Sequence, residues 1–340
     1  MIAGIAETPY FRLGEGPPAL ELLADAARGA LADAGLAPRD VDGLAVASFS
    51  LAPDRAIDVA WRLGLRLRWL SDEATGGASA LNMLQHALRA VEAGDAKVVL
   101  LLAGDSFTDF SPIAESLNSA MRDHLTPIPH GGPNALFALL TQRHMAAHGL
   151  AREDYGRVVC AQHAAAGREL SLEEYLAAPM VADPLTRYDC VPIRSGACAV
   201  VVAEGEVRIR SIGARFNLDQ QEGDGLRTGL GEIPLDFRPA EVDVAEIYDD
   251  YPAMVLVQLE ELGFGAPREL AERIAGGRLR VNTAGGQLAN GQAGIAGGMH
   301  GLVEAVRQLR GGARTALVTG YGMIVYRHGA IANAAVLERS

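Results

Sequence analysis

Two tyrosines and two aspartates stand together in the stretch EIYDDYPAMV, residues 246–255. Tyrosine and aspartate side chains can each give or take a proton, so such a group in a pocket is a candidate for acid and base catalysis. The stretch follows an apolar strand pattern and precedes an apolar helix pattern. In an extended chain Tyr248 and Asp250 would face one side, and Asp249 and Tyr251 the other. We therefore expect only one of these pairs to face a given pocket.

The composition favours a large α/β protein. The 340 residues are rich in small and aliphatic side chains and poor in aromatic ones, and two similar-sized halves are the default expectation. The formal charge of −12 argues against a nucleic-acid partner, which would need a basic surface. The sequence has no apolar run of about 18 residues and no basic leader, which predicts a soluble cytoplasmic protein without a membrane partner.

Two residue types limit the possible chemistry. Cys160, Cys190 and Cys198 have no metal-ligand spacing, so buried thiols are expected rather than disulfides, and no metal site is expected. Lys97 is the only lysine and lies at the start of an apolar strand pattern. A Schiff-base mechanism needs a desolvated lysine amine in a pocket, so it has almost no candidate here.

The hydrophobic pattern repeats along the chain and predicts two halves, residues 1–204 and 205–340. The first half includes a region at about 106–150 that is expected to cover the site. His130, in the turn HGGP of that region, is a candidate for substrate binding, although a plain surface turn is the simpler interpretation. The predicted helices are Ala19–Ala34, Asp54–Leu63, Ser79–Ala93, Pro252–Leu262, Pro267–Ala275 and Ala296–Leu309. The predicted strands include Ile2–Glu7, Val98–Ala103, Val244–Tyr248, Leu279–Asn282 and Thr315–Gly320.

The two halves are most alike in residues 76–105 and 285–322. Each segment is a glycine-rich turn, a helix of about four turns, a glycine stop and an apolar strand. The amide groups at a helix start favour an oxyanion or a thioester carbonyl in front of them. We expect the two helices to converge on one site, with Gly285 and Gly286 among the residues that contact substrate. The alternative is that these glycines only permit tight turns.

Several segments stand out in order along the chain: LADAARGALADAGLAPRDVDGLAV, RHMAAHGL, ADPLTRYDC with SGACAVV, YPAMVLVQLEELGF and NTAGGQLANGQ. Together they resemble the thiolase superfamily, and more closely its lipid-transfer or sterol-carrier-protein-X branch. The resemblance spans essentially the whole chain. It implies a duplicated five-layered α-β-α-β-α sandwich, a homodimer, and a substrate that is an acyl thioester of coenzyme A or of a carrier protein. Coenzyme A would be part of the substrate, with no covalently bound cofactor.

The catalytic motifs of thiolases are all altered in this sequence. Where the family has Cys-Ala-Ser-Gly, this chain has Gly77, Ala78, Ser79 and Ala80, so glycine stands at the nucleophile position. The Asn-Glu-Ala-Phe or His-Asp-Cys-Phe motif becomes residues 248–251, and Gly-His-Pro becomes residues 291–293 with Gln292 in place of histidine. Val318 replaces the last catalytic cysteine. Ser79 has no histidine placed to activate it and is predicted to cap the helix. Acyl-cysteine catalysis is therefore not expected.

The superfamily also contains thiolase-like aldolases that cleave steroid side chains without the cysteine, use tyrosines as acid and base, and act with a zinc-ribbon/OB-fold partner. The resemblance thus implies retro-aldol cleavage of a β-hydroxyacyl-CoA, or the reverse condensation. Tyr248 is the first candidate for proton transfer and Tyr321 the second. Asp250 would tune Tyr248, and His300 would lie near the pocket. Gly77 would make room for a bulky substrate, and Ala78, Ser79 and Gln292 would contact it.

Two alternatives stay open at this point. The chain could be one subunit of an acyltransferase complex in which a thiolase homologue supplies the cysteine. It could also be a scaffold that keeps the CoA tunnel without catalysing a reaction. Retro-aldol cleavage would make the chain itself an enzyme, whereas the scaffold alternative would not.

Overall fold

Strands and helices alternate along the chain much as the hydrophobic pattern predicts. A computed structural model describes residues 1–51, 55–109, 123, 132–324 and 327–340. The strands are β1 (Ile2–Glu7), β2 (Phe11–Arg12), β3 (Gly43–Ala47), β4 (Trp69–Glu73), β5 (Val99–Asp105), β6 (Met180–Ala182), β7 (Leu185–Thr186), β8 (Arg194–Val202), β9 (Val207–Phe216), β10 (Val244–Glu246), β11 (Thr315–Ile324) and β12 (Gly329–Arg339). The α-helices are α1 (Ala19–Asp33), α2 (Arg55–Leu63), α3 (Ser79–Ala93), α4 (Pro133–His148), α5 (Arg152–Ala165), α6 (Leu172–Ala177), α7 (Pro252–Glu261), α8 (Pro267–Ala275), α9 (Gly286–Asn290) and α10 (Gly297–Arg310).

The main sheet has the strand order β10-β11-β12-β9-β1-β8-β5-β3-β4, and β2 adds to β8. The pairs β3–β4, β3–β5 and β10–β11 are parallel, which requires helical crossovers between them. β1 pairs with β9 through the single residue pair Ile2–Val207, where the sheets of the two halves meet. Each half thus contributes its own sheet, as a duplicated fold requires.

Of the four apolar clusters among the described residues, three separate the layers. One core packs α1 and α2 against β3, β5 and β8. The central core places α3 and α10 between the two halves of the sheet, and the third packs α7 and α8 against β11 and β12. This order is the five-layered α-β-α-β-α sandwich of the thiolase fold.

The starts of the two central helices meet in the middle of the molecule. A side chain at Gly298, in the first turn of α10, would collide with the backbone oxygen of Gly77, just before α3. The backbones can approach this closely because glycine has no Cβ. The predicted convergence of the two helices is therefore confirmed.

One predicted strand is shorter in the structure, and another is not formed. The strand predicted at Val244–Tyr248 ends at Glu246, because the Ile247 N–H donates to Asn282 Oδ1 at 2.7 Å instead of to a neighbouring strand. The strand predicted at Leu279–Asn282 is wrong. Only Val281 forms an isolated bridge, to Ala245, and Asn282 then turns the chain with a positive φ of 50°.

Among the helices of the described residues, none is long and apolar enough to cross a bilayer.

Candidate active site

A cavity of about 620 Å³ lies where the two halves meet. Its volume is in the range typical of small-molecule sites. The first half contributes Phe49 and the turn before α3, and the second half contributes the loop after β10 and the end of β11. Pro133 and Asn134, at the start of α4, cover one side. Of the residues predicted from sequence, the cavity brings together Gly77, Tyr248, Asp250, Gln292 and Tyr321.

Tyr248 is held rigidly at the wall of this cavity. Its backbone N–H donates to Thr319 Oγ1 at 2.9 Å, and its carbonyl oxygen accepts from Gln258 Nε2 at 2.8 Å. The hydroxyl accepts a hydrogen bond from Gln292 Nε2 at 3.0 Å. Because Gln292 supplies a donor, the hydroxyl proton of Tyr248 is free to point at a substrate. Burial and the charges of Asp250 and Asp249 raise the pKa of Tyr248 well above its ordinary value, so the phenol keeps its proton at neutral pH.

Only glycine fits at residue 77, the nucleophile position of thiolases, because the side chain of Tyr248 packs against it. A Cβ at Gly77 would collide with the ring and the hydroxyl of Tyr248. The tyrosine thus fills the space into which a cysteine at position 77 would project. This corrects the expectation that Gly77 makes room for substrate, since the space is taken by a side chain from the other half of the chain.

The sequence pattern predicts that Asp249 and Tyr251 face the same side, opposite Tyr248, but they point in different directions. Asp249 turns away from the cavity and accepts hydrogen bonds from the N–H groups of Gln287 and Leu288 at 3.0 and 3.1 Å, at the start of α9. Tyr251 lines the same cavity as Tyr248, and its hydroxyl donates to Asn134 at 2.7 Å. The predicted alternation is correct for Tyr248, Asp249 and Asp250 and wrong for Tyr251, because residues 247–251 form a loop, where the period of a strand does not apply.

Asp250 lines the cavity, and one of its two carboxyl oxygens lacks a hydrogen-bond partner in the residues that the structure describes. Within the described part of the chain, its Oδ1 is buried and has no hydrogen-bond partner. Burial, and then the nearby charge of Asp249, raise the pKa of Asp250 well above the ordinary aspartate value. A carboxylate with a raised pKa is a stronger base than an exposed one. Asp250 therefore has the position and the electrostatics of a proton acceptor.

Tyr321 lines the cavity with its ring, while its hydroxyl is engaged elsewhere. The hydroxyl accepts a hydrogen bond from the Gly329 N–H at 2.6 Å, which ties β11 to β12. Burial raises the pKa of Tyr321 above its ordinary value, so it also keeps its proton. Its predicted role in proton transfer stays a prediction.

His300 lies behind Tyr248 and does not line the main cavity. Its Nδ1 is 2.6 Å from Glu7 Oε1, and the two groups form an ion pair. Although burial alone would lower it, the pKa of His300 is raised by Glu7. In return, and against the effect of burial, His300 lowers the pKa of Glu7 to about 2. The predicted catalytic role of His300 stays a prediction.

The remaining predicted residues support the site from outside the cavity. The Ala78 carbonyl oxygen accepts from Asn333 Nδ2 at 2.8 Å, and Ser79 Oγ accepts from the Thr75 N–H at 3.1 Å. Ser79 is the first residue of α3 rather than its cap, so the capping prediction is wrong by one position. Gly286 lies against Asp249 and Gly285 against Ala166, and neither of the two glycines lines the cavity. His130 lies outside the described residues.

Asp105 is a positioning residue that the sequence reasoning missed. It is fully buried at the end of β5, and its two oxygens hold loops from both halves. Oδ1 accepts from the N–H groups of Phe49 and Ser50 at 2.7 and 2.8 Å, and Oδ2 accepts from that of Ile295 at 2.9 Å. Phe49 and Gly294, next to Ile295, line the cavity. The only signal in the sequence was an aspartate that ends a buried strand.

The cysteines are unsuited to carry an acyl group. Cys190 immediately precedes three residues that line the cavity, Val191, Pro192 and Ile193. Burial and the charge of Asp189 raise the pKa of Cys190 to about 12, so its thiol is protonated at neutral pH. Burial likewise raises the pKa of Cys160 and of Cys198. Because a thiolate is the reactive form, these thiols are poor nucleophiles.

Glu246→Gln is expected to stabilise the protein at alkaline pH. Glu246 lies just before Tyr248, is 2% exposed, and accepts a hydrogen bond from Thr283 Oγ1 at 2.7 Å. Burial raises its pKa to about 7, so the folded state resists ionisation more than the unfolded state. Stability is therefore lost as the pH rises from the ordinary glutamate pKa of 4.5 to about 7, and the neutral glutamine avoids that loss, on the order of 3 kcal/mol at pH 8.5.

Urea unfolding at pH 4.5 and 8.5 tests this expectation. The stabilisation by Glu246→Gln should appear only at the higher pH, and the exposed Glu269→Gln serves as the control. If the free energies of unfolding of Glu246→Gln and wild type differ by the same amount at both pH values, the raised pKa of Glu246 is contradicted.

Comparison with known proteins agrees with this geometry. Residues 236–336 match a family described as thiolase C-terminal domain-like. The chain is 34% identical to the 17-hydroxy-3-oxo-4-pregnene-20-carboxyl-CoA lyase of Mycobacterium tuberculosis over 358 aligned positions, with 91% of each protein covered. It is 33% identical to the steroid side-chain-cleaving aldolase of Thermomonospora curvata, covering 91% of this chain and 90% of that protein.

A solved structure described as the Ltp2-ChsH2(DUF35) aldolase superposes with a TM-score of 0.83 at 29% identity, covering 99% of this chain and 97% of the other. The superposition extends over both halves of the chain. The chain belongs to the thiolase superfamily, in the thiolase-like branch that includes these steroid side-chain aldolases.

Proposed function

We propose that this protein cleaves the carbon–carbon bond between Cα and Cβ of a β-hydroxyacyl-CoA by a retro-aldol reaction. The observation that carries the proposal is that Tyr248 and Asp250 share the cavity while the tyrosine ring occupies the space of the missing cysteine side chain. The site thus has proton-transfer groups and lacks the nucleophile that thiolysis needs. The relatives named as a CoA lyase and as an aldolase support the same reaction.

Asp250 is the group that we assign to the substrate hydroxyl. In its ionised form it takes the proton from the β-hydroxyl, and the oxygen becomes a carbonyl as the Cα–Cβ bond breaks. The bonding electrons pass to the thioester part, which becomes an enolate. Asp250 lines the cavity, and its Oδ1 is buried without a hydrogen-bond partner among the described residues. The raised pKa of Asp250 makes this transfer more favourable than it would be to an ordinary aspartate.

Tyr248 is the group that we assign to the enolate. Its phenol donates a proton to Cα, and the resulting phenolate is stabilised by the hydrogen bond from Gln292 Nε2. Return of the proton from Asp250 to Tyr248 restores both groups, so the reaction consumes no acid or base. The turn with Gly76 and Gly77 places the start of α3 at the cavity, where the helix dipole favours the negative thioester oxygen. Tyr321 would then mainly shape the wall of the cavity with its ring.

The assembly and the location are part of the proposal. We propose a homodimer that acts with a zinc-ribbon/OB-fold protein, by analogy with the two-component aldolase named above. We also place the reaction in the cytoplasm, where a CoA thioester would be available. No nucleic-acid partner is proposed.

Product analysis tests the reaction class. The purified chain, alone and with a zinc-ribbon protein encoded beside its gene, is incubated with β-hydroxyacyl-CoA esters, including steroid side-chain esters. We expect an aldehyde or ketone and a shortened acyl-CoA in equal amounts. Absence of both products under both conditions, with activity appearing only after a cysteine-bearing thiolase homologue is added, would instead support the acyltransferase-subunit alternative.

A further inference from the structure

We propose that His144, His148 and Glu260 form a binding site for a divalent transition metal, with Zn²⁺ as the preferred ion. The site lies outside the cavity, at the contact between α4 and α7. His144 and His148 are one helical turn apart on α4, so they share one face of that helix. Glu260 reaches the same point from the last turn of α7.

The distances between the possible ligand atoms suit one small cation. One nitrogen of each imidazole and a carboxylate oxygen all lie within 4.8 Å of one another. His148 Nε2 is 3.5 Å from Glu260 Oε2. In a tetrahedral zinc site, with metal–ligand bonds of about 2.0–2.1 Å, neighbouring ligand atoms are about 3.4 Å apart. Small side-chain rotations would therefore bring all three ligands to bonding distance.

The surroundings of His144 point independently to a ligand. The residue is fully buried, and its Nε2 has no hydrogen-bond partner among the described residues. Its Nδ1 is 2.9 Å from the Tyr155 hydroxyl. When Nδ1 carries the hydrogen and donates it to Tyr155, the lone pair of Nε2 is left for a metal. A second partner of this kind orients histidine ligands in known metal sites.

The ligand set selects the class of metal. Two imidazoles and one carboxylate are typical of zinc sites with three protein ligands, in which water takes the fourth position. Mg²⁺ prefers oxygen ligands and octahedral geometry, so it should bind poorly here. His148 and Glu260 are 28% and 35% exposed, which leaves a path from solvent to the site.

The metal would fasten the helix that covers the cavity. At its first turn, α4 is joined to the active-site loop by the hydrogen bond between Asn134 and Tyr251. The metal would hold the last turn of the same helix to α7, which follows that loop. One end of α4 would then be tied to the loop that carries Tyr248, and the other end to the helix that follows this loop. The expected effect is on stability, so the site can be tested without an activity assay.

Metal titration of the full chain, prepared without a histidine tag and stripped with EDTA, tests the proposal. We expect one equivalent of Zn²⁺ to bind by calorimetry, Co²⁺ to give the visible absorption of a tetrahedral site, and Mg²⁺ to give neither signal. His148→Gln and Glu260→Gln change partly exposed side chains and should fold, and each should weaken zinc binding at least tenfold. Tyr155→Phe should weaken it by roughly tenfold.

The matched control is His86→Gln, which changes an exposed histidine on α3. Zinc should raise the Tm of wild type and of His86→Gln, and should raise that of His148→Gln much less. The proposal is overturned if the wild type binds no zinc, or if His148→Gln binds it as tightly as wild type does.

Discussion

Gly77→Ala is expected to lower the rate of carbon–carbon cleavage by about 10²-fold or more. The new Cβ would overlap with the ring and the hydroxyl of Tyr248, so the tyrosine side chain must move. Misplacing a catalytic group by about 1 Å can cost about 10²-fold in rate. The added methyl group should also reduce the free energy of unfolding by roughly 1–3 kcal/mol, as overpacked cores do. Steady-state kinetics and urea unfolding measure the two effects.

A double-mutant cycle separates this collision from a general loss of stability. Tyr248→Ala removes the ring that the new Cβ would meet, so Gly77→Ala should destabilise that background much less than it destabilises wild type. Gly276→Ala, at an exposed glycine after α8, is the control and should be nearly neutral. Equal destabilisation by Gly77→Ala in both backgrounds would show that Tyr248 does not fill this space.

Tyr248→Phe is expected to lower kcat by about 10²- to 10⁴-fold, the range for loss of a general acid. The ring that packs over Gly77 is retained, while the proton donor and the acceptor for Gln292 are removed. The free energy of unfolding should change by less than about 1.5 kcal/mol, because one hydrogen bond is lost beside a cavity that water can enter. Kinetics with one β-hydroxyacyl-CoA, together with urea unfolding, tests both statements.

Tyr251→Phe is the matched control, because Tyr251 lines the same cavity and its hydroxyl bonds to Asn134 rather than to Gln292. It should change kcat by less than about tenfold and act mainly on KM, through the covering helix. Near-normal turnover of Tyr248→Phe would remove Tyr248 from the mechanism. An equally large loss of kcat in both variants would mean that the cavity needs two phenols rather than a specific one.

The layers of the fold were predictable because local patterns determine them. The bounds of α3 and α8 agree with the predicted Ser79–Ala93 and Pro267–Ala275, since each helix has an apolar face and a glycine at its end. The end of β10 was not predictable in this way. It depends on Asn282 and Thr319, whose side chains take the backbone hydrogen bonds of residues 247 and 248. These partners are distant in sequence, so the local pattern carries no sign of them.

The candidate site was predictable by residue type and less so by geometry. The substitutions at residues 77, 248 and 292 indicated a change of chemistry, and all three residues line the cavity. That Gly77 and Tyr248 are sterically coupled could not be inferred, because the contact joins the two halves of the chain. The alternation of side chains placed Asp250 on the side of Tyr248, and Asp250 does line the cavity; that Asp249 binds the start of α9 could not be inferred, because its partners are distant in sequence.

Cleavage of a β-hydroxyacyl-CoA in D₂O, without added free CoA, tests the central claim most directly. A retro-aldol reaction should yield one carbonyl compound and one acyl-CoA that carries a single deuterium at Cα. The intact mass of the protein should stay unchanged during turnover, because no acyl group is transferred to it. A requirement for free CoA, or an acyl adduct on one of the three cysteines, would contradict the account and indicate thiolase chemistry instead.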